Sequence, residues 1–388
     1  MKKYWQLLVI AVVIVLTLGF HYVQVASATK QNYNFTFETI SGDDQYIESL
    51  LIEASFEKGM GSNAVLINKD ESKVVSNFYK RNTPLLFTEL IDEQKNFMRG
   101  KPFFANNYYE DETTLVFVKE PYEDWSLNTE GEYSYKVDVL NKVENKKTSF
   151  EVPSASKNKL HYMSIINTTV VNNDLKIILK QVKNNGDEEL YIVTIDMKKQ
   201  QLLSENLIDS ALGDEKTRKS FDFYNRYSNI ENEKYNMYSV TALEMGFESA
   251  KVISRQFSLI NMETNEVTSI SLPEGLELDM ESGIVDNNYF VASYLTEENT
   301  IIHRYNIGQK RWLDPIIASH PVEFVNKEIS NLDVQNGKLY IMNEAANDFV
   351  LQIFDIESGT LLYEGKLLND NAKQKYYIWV NSFHEQKE

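Results

Sequence analysis

Ile329-Ser-Asn-Leu-Asp-Val-Gln335, Asn336-Gly337, Lys338-Leu-Tyr-Ile-Met-Asn343, Asn347-Asp348, Phe349-Val-Leu-Gln-Ile-Phe-Asp355, Glu357-Ser-Gly359, Thr360-Leu-Leu-Tyr-Glu-Gly-Lys366 is the stretch that decides the fold. Its apolar residues alternate with polar ones, as a half-buried strand requires. Asn-Gly is the strongest short hairpin signal, because both residues tolerate a left-handed backbone. Four short strands separated by tight turns therefore make an antiparallel meander of about forty residues.

The same rhythm recurs upstream. His161–Val171, Leu175–Val182, Glu189–Met197 and Gln201–Leu207 alternate with turns at Asn172-Asn-Asp174, Asn184-Asn-Gly186 and Lys198–Gln200. Tyr289–Thr296, Thr300–Ile307 and Arg311–Ile317 form another copy. Lys251–Asn261 with Glu266–Pro273, and Thr113–Lys119 with Tyr133–Asn141 and Lys147–Pro153, form two more. The third strands start near Tyr133, Glu189, Lys251, Thr300 and Phe349, at intervals of 56, 62, 49 and 49 residues. Such a period with four strands per unit predicts an all-β propeller of about 5–7 four-stranded antiparallel blades.

The units resemble the blades of the β-propeller superfamily, and more narrowly YVTN-type and PQQ-type repeats. Leu339-Tyr-Ile followed by Phe354-Asp-Ile-Glu-Ser-Gly359-Thr-Leu-Leu carries that resemblance. It covers about residues 110–370. The signatures of WD40, kelch and sialidase blades are absent. The resemblance implies a fold and no chemistry.

The chain divides on paper into 1–28, 29–110 and 111–388. Within the middle part, Asn34–Ile40, Ile47–Phe56, Ala64–Lys69 and Lys73–Phe78 read as strands that continue into the blades. Thr83-Pro84 opens an amphipathic helix over 84–99, ended by Gly100. Its apolar side is Leu86, Phe87, Leu90, Ile91, Phe97 and Met98. It is expected to pack on a sheet or plug one end of the ring. Leu207–Met237 is polar and aromatic and reads as an excursion with a short helix near Gly213–Ser220. Long excursions that break a repeat are candidate functional surfaces. Tyr376–Phe383 is a last strand, expected to complete a blade across the chain ends, as an early strand also would, so that no long edge stays unpaired.

Lys2 and Lys3 precede an uncharged run, residues 4–28, long enough to span a membrane as a helix. The first reading is a signal anchor in the cell membrane, single-pass, with a cytoplasmic N-terminus and an extracytoplasmic C-terminal domain. The alternative is a signal peptide cleaved after Ala28 in Ala26-Ser-Ala28, giving a secreted protein. Arginine is scarce, while Lys, Asn and Ile are plentiful, which suggests an AT-rich genome and a Gram-positive bacterium.

The 388 residues carry a net charge of −18, and −20 once Lys2 and Lys3 are set aside. That balance disfavours nucleic acid, whose phosphates need clustered Lys and Arg. With no cysteine, disulfides, thiol catalysis and thiolate metal sites are excluded. No Gly-x-Ser-x-Gly, P-loop or Gly-x-Gly-x-x-Gly is present. His21, His161, His303, His320 and His384 show no metal-ligand spacing. Ser154-Ala-Ser-Lys157 matches Ser-x-x-Lys but lies in a linker. Most of the acids in the clusters Asp43-Asp44, Glu110-Asp-Glu112, Asp187-Glu-Glu189 and Glu297-Glu298 fall in predicted turns. Tyr108, Tyr109, Tyr122 and Trp125 sit near acidic loops, where they either pack between blades or stack on a ligand.

No catalytic, cofactor-binding or metal-binding residue is assigned, and no cofactor is expected. The function expected is a binding or interaction module whose partner is a protein or an envelope ligand. The alternative is an exported glycosidase-like enzyme acting on cell-envelope carbohydrate, which would need paired carboxylates about 5–10 Å apart.

Overall fold

The computed structural model describes residues 5–28, 34–58, 61–75, 83–120, 133–155, 160–214, 217–224, 230, 233–245, 250–273, 276, 282–296, 299–319, 329–345, 348–369 and 378–385. Among them lie six antiparallel sheets. Each takes its strands from consecutive chain segments, except where the two chain ends intervene.

We number the sheets as blades. Blade I is Leu50–Lys58, Gly61–Ile67 and Ser72–Val74, preceded in the sheet by the last strand of the chain, Ile378–Glu385. Blade II is Tyr108–Glu110, Thr114–Lys119, Ser134–Asn141 and Lys146–Pro153. Blade III is Leu160–Val171, Asp174–Lys183, Glu188–Asp196 and Gln201–Ala211. Blade IV is Thr217–Phe223, Tyr235–Met245, Ala250–Asn261 and Glu266–Ile270. Blade V is Ser282–Val285, Tyr289–Leu295 and Asn299–Asn306, with Arg311–Trp312 and Ile316–Ser319 both on its outer edge. Blade VI is Ile329–Gln335, Lys338–Ala345, Asp348–Asp355 and Leu361–Asn369, extended outward by Phe35–Gly42.

A repeated turn chemistry links third to fourth strands. Asn68, Asn141, Asp196, Asn261, Asn306 and Asp355 each end or follow a third strand. Each accepts backbone N–H bonds from residues two or three further on. Such Asx turns reverse the chain by a side-chain oxygen that mimics a backbone turn, and at Asn261 and Asp355 the residue's own carbonyl also accepts, from the N–H groups of Asn265 and Gly359 at 2.8 and 2.9 Å. In blades II to VI the residue four after the Asx has positive φ: Asn145, Gln200, Asn265, Lys310 and Gly359. Asp355-Ile-Glu-Ser-Gly359, part of the stretch that carried the resemblance, is one copy of this turn.

Apolar clusters bridge successive blades. Val116, Tyr135 and Val137 of blade II meet Leu175, Ile177 and Val193 of blade III. Ile178 and Ile192 meet Phe221, Tyr238 and Ile260 of blade IV. Met237 and Phe257 meet Val285, Phe290 and Ala292 of blade V. Val291 and Ile302 meet Val334, Leu339 and Ile341 of blade VI. Tyr340, Leu351 and Ile353 then meet Ile52, Ala54, Phe56 and Val65 of blade I. The last blade thus packs on the first, and the ring closes. Each such Val, Leu, Ile, Phe or Met side chain contributes about 1.5–3 kcal/mol when fully buried. The first strands of several neighbouring blades also run beside one another, which puts them at the centre.

The junction of blades I and II is filled by helix. Leu85–Glu93 and Lys95–Met98 bury Phe87, Leu90, Phe97 and Met98 against Tyr108, Leu115, Phe117 and Leu140. The sequence reading of one helix over 84–99 is corrected here. The helix breaks at Gln94 (φ −123°, ψ 45°) and restarts. A second correction concerns Gly213–Ser220. The expected short helix is replaced by strand Thr217–Phe223, whose pairing with Tyr235–Met245 overrides its local preference.

Both chain ends take part in closure. Ile378–Glu385 pairs with Leu50–Lys58 on one side of the seam. Phe35–Gly42 pairs with Leu361–Asn369 on the other. Gln335 and Asn331 of blade VI donate to the carbonyls of Phe383 and Val380 at 3.0 and 2.7 Å.

The two faces of the ring differ. First-to-second and third-to-fourth connections share one face, and most are short turns; in blade IV the first connection is longer, covering 224–234. Second-to-third and blade-to-blade connections share the other, here the loop face. It receives the helical segment, and strands of blades II, V and VI end on it at Lys119, Ser319 and Asn369. Ahead of the ring, Trp5–Ala28 is a helix of 24 residues with no Asp, Glu, Lys or Arg. Leu16, Leu18 and Phe20 on it are exposed. Counting only fully described positions, no helix is long and apolar enough to cross a membrane; several side chains along Trp5–Ala28 fall outside that count.

Candidate functional site

The loop face carries a pocket of about 730 Å³ between blades III and IV. Two connections build it. The turn Asn184–Asp187 of blade III reverses through Gly186 (φ 87°), with Lys183 N–H donating to the Asp187 carbonyl at 2.8 Å. The passage from blade III to blade IV runs through Gly213 and Asp214. Its Gly213 N–H donates to Asp187 Oδ1 at 3.2 Å, which ties the two connections together.

The acids of this site are already engaged. Asp187 Oδ2 accepts from Asn185 Nδ2 at 2.7 Å. Buried Glu188 accepts from Phe221 N–H at 2.9 Å and from Lys180 Nζ at 3.4 Å. Asp214 accepts from Thr217 N–H at 2.8 Å. Lys183 is bonded to Glu189, which also accepts from Tyr191 Oη at 2.9 Å. Arg218 and Lys219, successive residues of strand Thr217–Phe223 whose side chains alternate across it, also line the pocket, and neither side chain has an ionic or hydrogen-bond partner among the described residues. The pocket therefore offers unspent donors. A guanidinium fork and an ammonium suit a carboxylate, phosphate or sulfate group. His161 and Tyr162 add ring surfaces, packed edge to face at 6.0 Å; Tyr162 is 38% exposed.

A second cluster lies at the junction of blades I and II. Glu53 Oε2 accepts from Leu85 N–H at 3.0 Å and from Ser382 Oγ at 3.2 Å. Ser382 Oγ lies 2.7 Å from His384 Nε2, which is 3.7 Å from Glu53 Oε2. Serine and carboxylate thus approach the same ring nitrogen. A hydrolytic triad needs them on opposite nitrogens, so this trio anchors the helix start. Nearby Glu89 titrates above its ordinary range, first because packing strips water from it; His384 opposes the shift, and Glu93, Glu110 and Glu53 add to it. Among the described residues no group of three or more His, Asp or Glu could hold a metal ion.

Residues singled out in the sequence scatter. Tyr108 and Tyr109 are buried, Tyr108 against Phe87 and Phe117, so they pack between elements and present no ring to solvent. Tyr122, Trp125, His320 and Glu297-Glu298 lie outside the described residues, as does Lys157. Ser154 donates to Glu205 at 2.8 Å. Asp44 pairs with Lys69 at 2.7 Å and Glu110 with Lys142 at 2.9 Å. His303 is stacked on Tyr294 and set edge-on to Trp312. Among the described residues, only His161 and Asp187-Glu188 of these reach the pocket. Arg218 and Lys219 went unassigned, although Leu207–Met237, which contains them, stood out as a break in the repeat.

Six four-stranded units closed into a ring make this a β-propeller by its own topology. No family profile matches the chain, and no curated protein matches it. Solved structures resemble it distantly. The β-propeller domain of the trilobed protease from Pyrococcus furiosus is 9% identical, with a TM-score of 0.33, covering 92% of this chain and 98% of that one. An apocarotenoid oxygenase of Synechocystis is 8% identical, with a TM-score of 0.45, covering 92% and 96%. The polysaccharide lyase Uly1 is 12% identical, with a TM-score of 0.38; the match covers 68% of this chain and 57% of that chain.

Proposed function

We propose that this chain is a membrane-anchored extracytoplasmic β-propeller that acts as a binding module, with the pocket between blades III and IV as its binding site. The observation that carries the site is Arg218 and Lys219, cations whose side chains have no partner among the described residues, in a pocket whose acids already accept other hydrogen bonds. The favoured ligand is an envelope molecule bearing a carboxylate or phosphate. The anchor is supported by the uncharged helix Trp5–Ala28 and by Lys2 and Lys3 ahead of it.

The test is calorimetry on the full chain in detergent, with glucuronate and glycerol phosphate as probes and N-acetylglucosamine as the neutral control. Saturable binding of an anionic probe, lost in Arg218→Ala/Lys219→Ala, is the expected result. Binding unchanged in that variant, or no anionic probe bound, overturns the assignment of the site. Flotation of the chain with lipid vesicles checks the anchor.

A further inference from the structure

We infer that the loop face, with its pocket, is the side of the ring turned toward the bilayer. The inference rests on the anchor reading above and adds to it an orientation. The observation is where the anchor helix joins the ring. Phe35 pairs with Asn369 and Gly42 with Tyr363. Asn369 ends the fourth strand of blade VI, where the chain leaves for blade I, so it lies on the loop face. The chain therefore reaches the ring at the loop face and runs down the outer edge of blade VI to the turn face.

Only residues 29–34 separate Ala28 from Phe35. Ala28 to Phe35 is seven Cα-to-Cα steps, at most about 23–25 Å fully extended. Phe35 to Gly42 is likewise seven steps, about 23 Å at ~3.3 Å per residue. To set the turn face on the membrane, the tether would have to run fully extended back along the whole blade, with no residue left to reverse the chain at Phe35. With the loop face inward, no such run is needed. The pocket then opens toward the bilayer, on the blade opposite the tether in a ring of six. The capped turns at Asn141, Asp196 and Asp355 point away from it.

The absence of cysteine makes the test clean. Single-cysteine variants of the full chain place a fluorophore on the loop face (Asn184→Cys, Leu212→Cys) or the turn face (Glu144→Cys, Glu357→Cys). All four positions are exposed. The chains are reconstituted in phosphatidylcholine vesicles containing an acceptor-labelled lipid, and energy transfer is measured. Higher transfer from both loop-face positions is expected. Equal transfer, or a reversed order, in chains that co-float with the vesicles overturns the orientation and leaves the anchor standing. Chains that fail to co-float overturn the anchor and the orientation together.

Discussion

Glu385 Oε1 lies 2.6 Å from Lys338 Nζ, and this ion pair spans the seam between the last strand of the chain and the sheet of blade VI. Tyr340 Oη donates to the same oxygen, and Asn336 Nδ2 to the other at 2.6 Å. One carboxylate therefore gathers three donors from blade VI onto the strand that completes blade I.

Glu385→Gln is expected to lower unfolding free energy by about 1–3 kcal/mol, the cost of leaving partly buried partners unpaired. Burial pushes this carboxyl up, but the bonds from Lys338, Tyr340 and Asn336 outweigh it and hold it below the usual glutamate range. The unfolded chain thus binds a proton more readily. The contribution is present above the ordinary glutamate pKa and is lost as pH falls through the lowered value. Urea titrations from neutral pH into that acid range should show a shallower pH dependence in Glu385→Gln than in the parent. An equal dependence would remove Glu385 from the seam.

Gly42 sits at φ +92°, and a Cβ there would come within 2.2 Å of the Leu362 carbonyl oxygen. Gly42→Ala should therefore detach the end of the added strand. The left-handed backbone alone costs about 1–2 kcal/mol for a residue with a side chain. Hydrogen exchange should accelerate in residues 35–42 while blades II to V keep their protection.

Arg304, 3% exposed, donates to the carbonyls of Ile356 at 2.6 Å and Glu357 at 3.1 Å, and to that of Asp314. Lys176 does the same two interfaces earlier in the ring, reaching the Met262 carbonyl at 2.5 Å and Asn265 Oδ1 at 2.8 Å. In both cases a cation of one blade holds the third-to-fourth turn of the next. Arg304→Met and Lys176→Met should each cost about 1–3 kcal/mol by stranding buried carbonyls. Because the two sites share no partner, their effects on the urea midpoint should add.

Arg218→Ala/Lys219→Ala should leave the thermal midpoint nearly unchanged, since exposed Arg218 and half-buried Lys219 have no side-chain partner among the described residues and substitutions away from packed or bonded features shift stability by about 0.5 kcal/mol or less. A large drop would mean that the two cations hold the fold and not a ligand.

Much of the ring was legible because its middle strands repeat. Third strands expected to start near Tyr133, Glu189, Lys251, Thr300 and Phe349 begin at Ser134, Glu188, Ala250, Asn299 and Asp348. Asn-Gly and Asx turns carry their geometry in the residue itself, so they read directly from the letters. First strands were harder. Thr217–Phe223 is polar except at Phe221 and Phe223 and lacks a clear alternation, and it becomes a strand through pairing with Tyr235–Met245. The pocket was less legible still. Asn184-Asn-Gly186 reads as a turn, and nothing in Arg218-Lys219 announces that the chain will fold it beside that turn. Such proximity depends on the path between blades, which periodicity does not encode.

The strand Phe35–Gly42 also fixes how the ring would respond to a pull. It lies antiparallel to Leu361–Asn369, paired at seven positions, and any tension from the preceding segment acts along its own axis. A strand drawn lengthwise must slide past its neighbour, so the pairs are strained together and none opens ahead of the rest. Drawn sideways, the same strand would peel one pair at a time. A ring held from the loop face is thus gripped in shear, the geometry in which a short stretch of backbone hydrogen bonds resists force best.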